Sequence, residues 1–166
     1  MAVTATLSMG LIARDTLAAA LDLASNPVIT HELTVADRST LNASSTPAVT
    51  AAWSDTVALS GGSATIDLSS LSLGATLTAL DLTGLKVQGF VFQSKAANTD
   101  TVTIVDGASN GYNLFGDSSG QVTLSPGGAV SFYAPEDLPD VASGAKTIDL
   151  SSSDLDAQVD VILIAG

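Results

Sequence analysis

The stretch TIDLSS at residues 65–70 decides the fold, and it recurs without change at residues 147–152. Side chains of a β-strand alternate between the two faces of a sheet, so Ile66 and Leu68 share one face and Asp67 lies on the other. The pattern predicts a strand with a buried Ile/Leu face and a solvent-facing carboxylate. The two serines that follow indicate the end of the strand, because their hydroxyl groups can bond to nearby backbone. The two copies are therefore expected to mark comparable edges of one β-sandwich.

Aspartate recurs in this motif and in its looser relatives, ALDLAS at residues 20–25 and ALDLTG at residues 79–84, so metal binding is an alternative role. The candidate ligands form two sets: Asp154, Asp156 and Asp160 in DLDAQVD, and Asp67, Asp81 and Asp149 in the repeats. Calcium loops need several converging oxygen ligands, usually with glycine at a fixed position. DLDAQVD lacks that spacing, and the nonapeptide repeat of calcium-binding β-rolls is absent. We expect a solvated acidic edge with no metal and no other cofactor, and a calcium ion held between strands or subunits is the alternative.

The charge balance excludes two classes of partner. The 166 residues include 5 Lys and Arg against 17 Asp and Glu, which gives a formal net charge of −12. Nucleic acids and anionic membranes are bound by clustered basic residues, so neither is an expected partner. No apolar run approaches the roughly 18 residues that span a membrane. Residues 1–15 lack the basic segment and the apolar core of a signal peptide, and none is expected there.

The chain is unusually apolar for a protein without a membrane segment. Charged residues make up only 13% of it, and its mean hydropathy is +0.41. A protein of this composition is expected to hide surface against neighbouring subunits. It has no cysteine, so neither a disulfide nor a thiolate metal site is possible. The composition therefore indicates a component of a larger assembly.

From Val49 onward, short strand-like stretches alternate with turn residues. Gly61-Gly62 suits a hairpin turn with positive φ, and Pro126-Gly127 is a strong turn pair. Leu85–Ser94 has apolar residues on both faces, which predicts a strand buried on both sides. The stretches are Val49–Ser60, Ala64–Ser69, Leu85–Ser94, Thr101–Asp106, Gln121–Ser125, Gly128–Ala134, Lys146–Leu150 and Gln158–Ile164. Their length and spacing predict an all-β fold, an antiparallel β-sandwich or jelly-roll-like domain.

Residues 1–48 are predicted to form an N-terminal arm, separate from a β-sandwich domain of residues 49–166. Ala13–Ala24 contains helix formers with apolar residues at helical spacing, which favours a short helix. Its last residues, however, belong to the strand-ending ALDLAS relative. We therefore expect a mostly extended arm, with one short helix as the alternative, that lies on a neighbouring protein.

One motif points to catalysis, the G-x-S-x-G pattern of Gly107–Gly111 (GASNG). In serine hydrolases this motif carries the nucleophile on a strand-to-helix turn, with a histidine downstream. Here the following residues, YNLFGDSSG, have no helical pattern, and the single histidine, His31, lies upstream. The loop also lacks the lysine and the helix of a phosphate site. We expect a loop between strands, no catalytic residues and no enzymatic activity.

Aromatic residues are few, so their positions matter. Phe132, in the sequence VSFYA, is expected in the core. Tyr112 and Phe115 lie in a glycine-rich loop. Packing beneath that loop is the expected role for both, and exposure as contact residues is the alternative.

The order of these elements resembles small virion-associated structural proteins of tailed bacteriophages, over residues 50–166. The shared elements are the strand Lys86–Gln93, the strand Asn98–Val105, the glycine/asparagine loop Gly107–Gly116, the turn Pro126–Gly128 and the last strand, Val159–Gly166. They are patterns of hydrophobic strands and turns without a catalytic signature. Relatives whose place in the virion is known often serve as capsid decoration (cement) proteins, and others belong to necks, tails or fibres.

The resemblance implies a non-enzymatic virion protein that is assembled in the host cytoplasm, binds the outer surface of the major capsid protein and stabilises the head. It also implies association with copies of itself, and a trimer is favoured because capsid junctions offer threefold positions. One alternative is a tail, neck or head-fibre component. Another is a carbohydrate-binding adhesin that uses the loop around Tyr112, with or without calcium.

Overall fold

The computed structural model describes residues 4–18, 28–72, 79–116, 120–134 and 136–166. These residues form ten β-strands and no α-helix. The strands are β1 Thr4–Ala18, β2 Val28–Asn42, β3 Ala51–Ala58, β4 Ser63–Asp67, β5 Val87–Ser94, β6 Val102–Asp106, β7 Gln121–Leu124, β8 Ala129–Tyr133, β9 Thr147–Ser151 and β10 Gln158–Ala165. Within the described ranges, no helix is long and apolar enough to cross a membrane.

Eight of the strands form two four-stranded sheets. The β10 sheet has the order β3-β10-β5-β8, and the β9 sheet has the order β4-β9-β6-β7. Every neighbouring pair is antiparallel. Since both sheets contribute buried side chains to one hydrophobic core, the predicted antiparallel β-sandwich is confirmed.

Two glycine turns carry the chain from one sheet to the other. Gly61 and Gly62 have φ values of 62° and 80°, in the positive range that the sequence predicted. They form the two-residue hairpin turn that was expected, with Ser60 and Ser63 paired across it and the Ser60 N–H donating to the Ser63 carbonyl at 3.0 Å. Beyond this turn, β3 and β4 separate into different sheets. The turn at Pro126-Gly127 joins β7 to β8 in the same way. The strands on either side of each turn find their partners elsewhere in the chain, because β10 pairs with β3 and β9 pairs with β4.

The core lies between the sheets and follows from the alternation along each strand. In β10, Val159, Val161 and Leu163 are buried, and the residues between them are more exposed. Burying each such side chain contributes about 1.5–3 kcal/mol relative to leaving it in water. Strand β5 is buried along most of its length, and its predicted burial on both sides is confirmed for its first four residues, whereas Val91 is partly exposed and Gln93 is exposed. Its Gln88 is fully buried, and the Nε2 donates a hydrogen bond to the Ala48 carbonyl at 2.7 Å.

The two copies of TIDLSS pair with each other. Strands β4 and β9 run antiparallel with Ile66 opposite Ile148, and both isoleucines are buried, as predicted. The expectation that both copies mark edges is wrong, because β9 is an inner strand and only β4 lies at the edge of the sheet. The reason is that β6 continues the apolar row beyond β9, with Ile104 opposite Leu150.

Strands β1 and β2 form a separate two-stranded sheet, the β1–β2 ribbon. Their ladder pairs Thr4 with Asn42 and continues unbroken to Ala18 with Val28. The extended arm is therefore confirmed over these residues. The alternative of a helix over Ala13–Ala24 is wrong as far as Ala18, because the backbone of these residues is extended and paired with β2 in the ladder. Residues 19–27, and with them the whole of ALDLAS, lie outside the described residues, and the boundary between residues 48 and 49 stays a prediction.

Candidate docking surface

The two outer faces of the sandwich differ in chemistry. The outer face of the β9 sheet carries mainly polar side chains, with Val105 among them as a partly exposed apolar residue. The polar residues are Ser63, Thr65, Asp67, Thr103, Gln121, Thr123, Thr147, Asp149 and Ser151. Thr65 Oγ1 donates to Asp149 Oδ1 at 2.6 Å, and the hydroxyl oxygens of Thr103 and Thr123 lie 3.2 Å apart. Polar groups that bond to one another across the strands suit a face that stays in water.

The outer face of the β10 sheet is apolar at its centre. The register places Ile162 between Ser54 of β3 and Val91 of β5, and the Ile162 side chain is 49% exposed. We call the region formed by Ala52, Ser54, Gly89, Val91, Ser131, Tyr133, Ile162 and Ile164 the outer apolar face. An exposed apolar region framed by small and polar residues is typical of an interaction surface.

Glycine 89 allows the outer apolar face to be nearly flat. A Cβ atom at this position would lie 3.3 Å from both Ile164 Cγ1 and Tyr133 Cδ2. The isoleucine and the tyrosine therefore cover the glycine from the two neighbouring strands. Such covering of a strand glycine by a cross-strand aromatic ring stabilises the sheet and also levels its surface.

One acidic residue lies among the strand positions of the outer β10 face, all of which the structure describes. Asp160 Oδ2 lies 2.5 Å from Lys95 Nζ, and Asp160 Oδ1 accepts a hydrogen bond from Thr56 Oγ1 at 2.6 Å. The hydrogen bond from Lys95 and, to a smaller extent, the one from Thr56 hold the pKa of Asp160 below its ordinary value. The charge of this carboxylate is thus balanced by a cation at the same end of the face.

The sequence interpretation overlooked the outer apolar face. Its signal is the run Val161-Ile162-Leu163-Ile164, in which apolar residues occupy both strand faces and break the alternation seen earlier in β10. The inward residues of this run fill the core, so the outward pair, Ile162 and Ile164, is left without a burial partner inside the sandwich. An unbroken apolar run in an antiparallel strand indicates a second covered face.

Phe132 was expected in the core, and that prediction is wrong. Its side chain is 45% exposed, although it lies on the inner side of the sheet, opposite Phe90. The two rings stack with centroids 5.6 Å apart. The reason is position within the sheet: β8 is an edge strand, and the inner side of an edge strand is covered less completely by the opposite sheet.

Packing beneath the glycine-rich loop is confirmed for its two aromatic residues. Tyr112 is fully buried, its hydroxyl donates to the Pro139 carbonyl at 2.7 Å and accepts from the Val87 N–H at 3.1 Å, and burial raises its pKa to about 12. Phe115 packs edge-on against Phe90 with ring centroids 6.0 Å apart. A glycan-binding platform at this loop cannot use Tyr112, since no part of its ring reaches the surface.

The GASNG motif forms a loop between strands, as predicted. Asn110 has a φ of 55°, and the Ser109 carbonyl accepts a hydrogen bond from Thr147 Oγ1 at 2.5 Å. The Ala108 N–H donates to Asp149 Oδ2 at 2.8 Å. His31, in β2, pairs with Asp15 in the ladder of the β1–β2 ribbon. The structure therefore uses this loop to hold β9, through contacts made largely by backbone groups.

The candidate aspartates act as local hydrogen-bond acceptors. Asp67 Oδ1 accepts from the Ser69 N–H at 2.9 Å, and Asp81 Oδ1 accepts from the Thr83 N–H at 2.8 Å. These bonds close a turn at the end of β4 and another after the isolated bridge residue Leu80. Asp154 accepts from the N–H groups of Thr99 and Asp156. Across the described part of the chain, no three acidic or histidine residues come together as a potential metal site.

The carboxyl group of Asp67, at the end of β4, makes the stability of the fold depend on pH. Hydrogen bonds from Lys146 Nζ at 2.8 Å and from Ser69 Oγ at 2.6 Å lower the pKa of this carboxyl below its ordinary value of 3.8. A carboxyl with a lowered folded-state pKa stabilises the fold above its unfolded pKa, and that contribution is lost as pH falls through the folded pKa.

The variant Asp67→Asn is therefore expected to lose less stability than the wild type on acidification below about pH 4. The comparison is made by urea unfolding at a series of pH values from neutral to strongly acidic. The loss is reduced rather than abolished, because hydrogen bonds also lower the pKa values of Asp81, Asp100, Asp154 and Asp160. Parallel pH profiles for the two proteins would show that Asp67 makes no such contribution.

Comparison with known proteins gives one structural likeness. No family model and no curated protein matches the sequence. Among solved structures, the chain is similar to a chain of the cyanophage Pam1 capsid asymmetric unit, with 16% identity and a TM-score of 0.32, over 69% of this chain and 83% of that chain. A superposition of this quality does not define a shared fold, so the chemistry of the outer faces has to be interpreted from this chain itself.

Proposed function

We propose that this protein is a non-enzymatic structural component of a phage virion, and that it acts as a capsid decoration (cement) protein on the outside of the head. The observation that carries the proposal is the difference in polarity between the two outer faces of the sandwich. The outer face of the β9 sheet is polar and hydrogen-bonded, and that of the β10 sheet is apolar around Ile162. A protein that coats a particle needs one face for water and another for its neighbours. The resemblance of residues 50–166 to phage virion proteins supports the same role.

The β1–β2 ribbon is the part of the chain suited to reach across a capsid junction. Its strands have 15 residues each, which corresponds to about 50 Å at the usual rise per residue. The ladder contains apolar pairs, such as Leu11 with Val35, and charged pairs, such as Arg14 with Glu32. Two-stranded ribbons alone are marginally stable in water, so a ribbon that contains such apolar pairs gains stability by packing on a partner.

The attachment energy would come from buried apolar area. At roughly 25 cal/mol per Å², the area covered by the ribbon favours binding, and the ordering of the bound segment opposes it. The expected partners are the major capsid protein and other copies of this chain. The net charge of −12 keeps the remaining surface soluble and unattractive to packaged nucleic acid.

We expect the full-length protein in purified virions at high copy number on the head, and its loss after deletion of residues 1–39. The deletion removes β1 and all but the last three residues of β2. It retains Leu41, which is buried, and Asn42, whose carbonyl accepts hydrogen bonds from the Ser45 and Val49 N–H groups. The sandwich should still fold, because the core is formed by later residues. Quantitative mass spectrometry and particle reconstruction measure the copy number and the location.

The control is circular dichroism and thermal unfolding of the truncated protein, which should report an intact β domain. A few copies confined to the tail or neck would contradict decoration of the head and would support the tail-component alternative. Attachment of the truncated protein at full copy number would show that the ribbon does not carry binding.

A further inference from the structure

We propose that the outer apolar face binds the same face of a second copy of this chain, so that two sandwiches pack across a twofold axis near Ile162. Such a contact is isologous, with the same surface patch contributed by both copies. It does not depend on the capsid assignment, since it concerns the protein alone in solution.

Charge favours a second copy as the occupant. The chain carries 17 acidic residues against 5 basic ones, so most pairs of surfaces from two copies repel each other. The outer face of the β9 sheet would bring Asp67 and Asp149 against their equivalents. Among the strand positions on the outer side of the β10 sheet, the one acidic residue, Asp160, is already paired with Lys95 at 2.5 Å. Two copies can therefore meet through the outer apolar face without placing unbalanced carboxylates together.

The dimensions of the face suit a small specific interface. The inner strands β5 and β10 have eight residues each, and four strands about 4.8 Å apart give the whole outer side of the β10 sheet, with the outer apolar face at its centre, dimensions of roughly 19 by 27 Å. The area is about 500 Å² per copy, or about 1,000 Å² for two copies, which reaches the lower limit of specific protein interfaces.

The shape of the outer apolar face also suits packing against the same face of a second copy. Ile162 projects at the centre, flanked in its row by Ser54 and Val91 and farther out by Ser131. The level region over Gly89 lies one row away, where Ile164 and Tyr133 pack across the glycine. A central isoleucine beside small side chains can pack against the equivalent isoleucine of a partner in an aligned sheet-on-sheet contact. A twofold contact of this kind departs from the trimer that the sequence resemblance favoured.

The decisive variant is Ile162→Lys in the full-length protein. It is expected to raise the dimer dissociation constant by about 100-fold or more, because each interface loses two central apolar side chains and gains two like charges near the axis. Sedimentation velocity over a range of protein concentrations measures the constant. The matched control is Thr123→Lys, which adds the same charge to an exposed strand position of the β9 sheet and should leave the constant unchanged.

Thermal unfolding of both variants separates association from folding, since Ile162 is half-exposed and lysine at this position should leave the sandwich intact. A wild-type protein that remains monomeric at high concentration would overturn the proposal. An oligomer unaffected by Ile162→Lys would overturn it as well.

A cross-link tests the twofold geometry directly. The chain has no cysteine, so a single Ile162→Cys substitution provides one defined thiol. Under mild oxidation this variant should form a covalent dimer, because an isologous interface brings residue 162 of both copies together near the axis. Thr123→Cys should remain largely uncross-linked under the same conditions. Equal cross-linking of the two variants, or none at residue 162, would contradict a contact centred on Ile162.

Discussion

Replacement of Tyr112 by alanine is expected to lower the free energy of unfolding by about 3–5 kcal/mol, a cost typical of removing a large buried ring. The ring is fully buried, and its hydroxyl joins two segments by accepting from the Val87 N–H and donating to the Pro139 carbonyl. The substitution leaves a cavity and also two backbone groups without their partner. Chemical unfolding monitored by tryptophan fluorescence, with Trp53 as the reporter, measures the change.

A graded series distinguishes packing from hydrogen bonding at this site. Tyr112→Phe retains the ring and loses only the hydroxyl, so it should cost about 1–3 kcal/mol. Phe132→Ala, at the half-exposed edge position, serves as the control and should cost less than half as much as Tyr112→Ala. Equal losses for the two alanine variants would show that Tyr112 is not the anchor of the loop. Glycan binding by the wild type that disappears in Tyr112→Phe would contradict its buried role.

The second large effect is expected from Gly107→Ala. A Cβ atom at Gly107 would overlap Thr147 Oγ1 and lie 2.9 Å from the Thr147 carbonyl oxygen, so β9 or the loop would have to move. The Gly107 N–H donates to that same carbonyl at 2.9 Å, and the Tyr112 N–H does so at 2.8 Å, so any movement also weakens these bonds. Overpacking of this kind costs roughly 1–3 kcal/mol and occasionally more.

The matched control for this substitution is Gly144→Ala. A Cβ atom at Gly144 would meet no atom within 4 Å, so the substitution should be neutral or slightly stabilising. Thermal unfolding of the two variants beside the wild type provides the comparison. If Gly107→Ala were as stable as Gly144→Ala, the close approach of the loop to β9 would not be a constraint on this fold.

Local patterns in the sequence predicted much of the fold. Alternation identified the buried faces of both TIDLSS copies, because which side of a strand is apolar depends only on neighbouring residues. The same reasoning predicted the two-sided burial of the first half of β5 and the packed position of Tyr112. The turn residues Gly61 and Gly62 were found for a similarly local reason, their freedom to adopt positive φ.

Local patterns do not predict which strands pair with one another, because pairing depends on contacts between distant segments of the chain. The local sequence of β8 predicts an inward Phe132, but only the strand order shows that β8 is an edge and leaves the ring half-exposed. In the same way, the sequence of β9 gives no sign that β6 covers its far side. The outer apolar face was missed because it combines residues from four strands that are far apart in the chain.

The direct pairing of the two TIDLSS copies has an evolutionary consequence. Each copy is the complement of the other, because antiparallel strands with the same sequence present equal side chains to each other at the centre of the pair. A change of size at Ile66 is therefore expected to be compensated at Ile148, although the two residues are far apart in the sequence. In an alignment of relatives, these two positions should covary as one unit, with gains in volume on one strand matched by losses on the other.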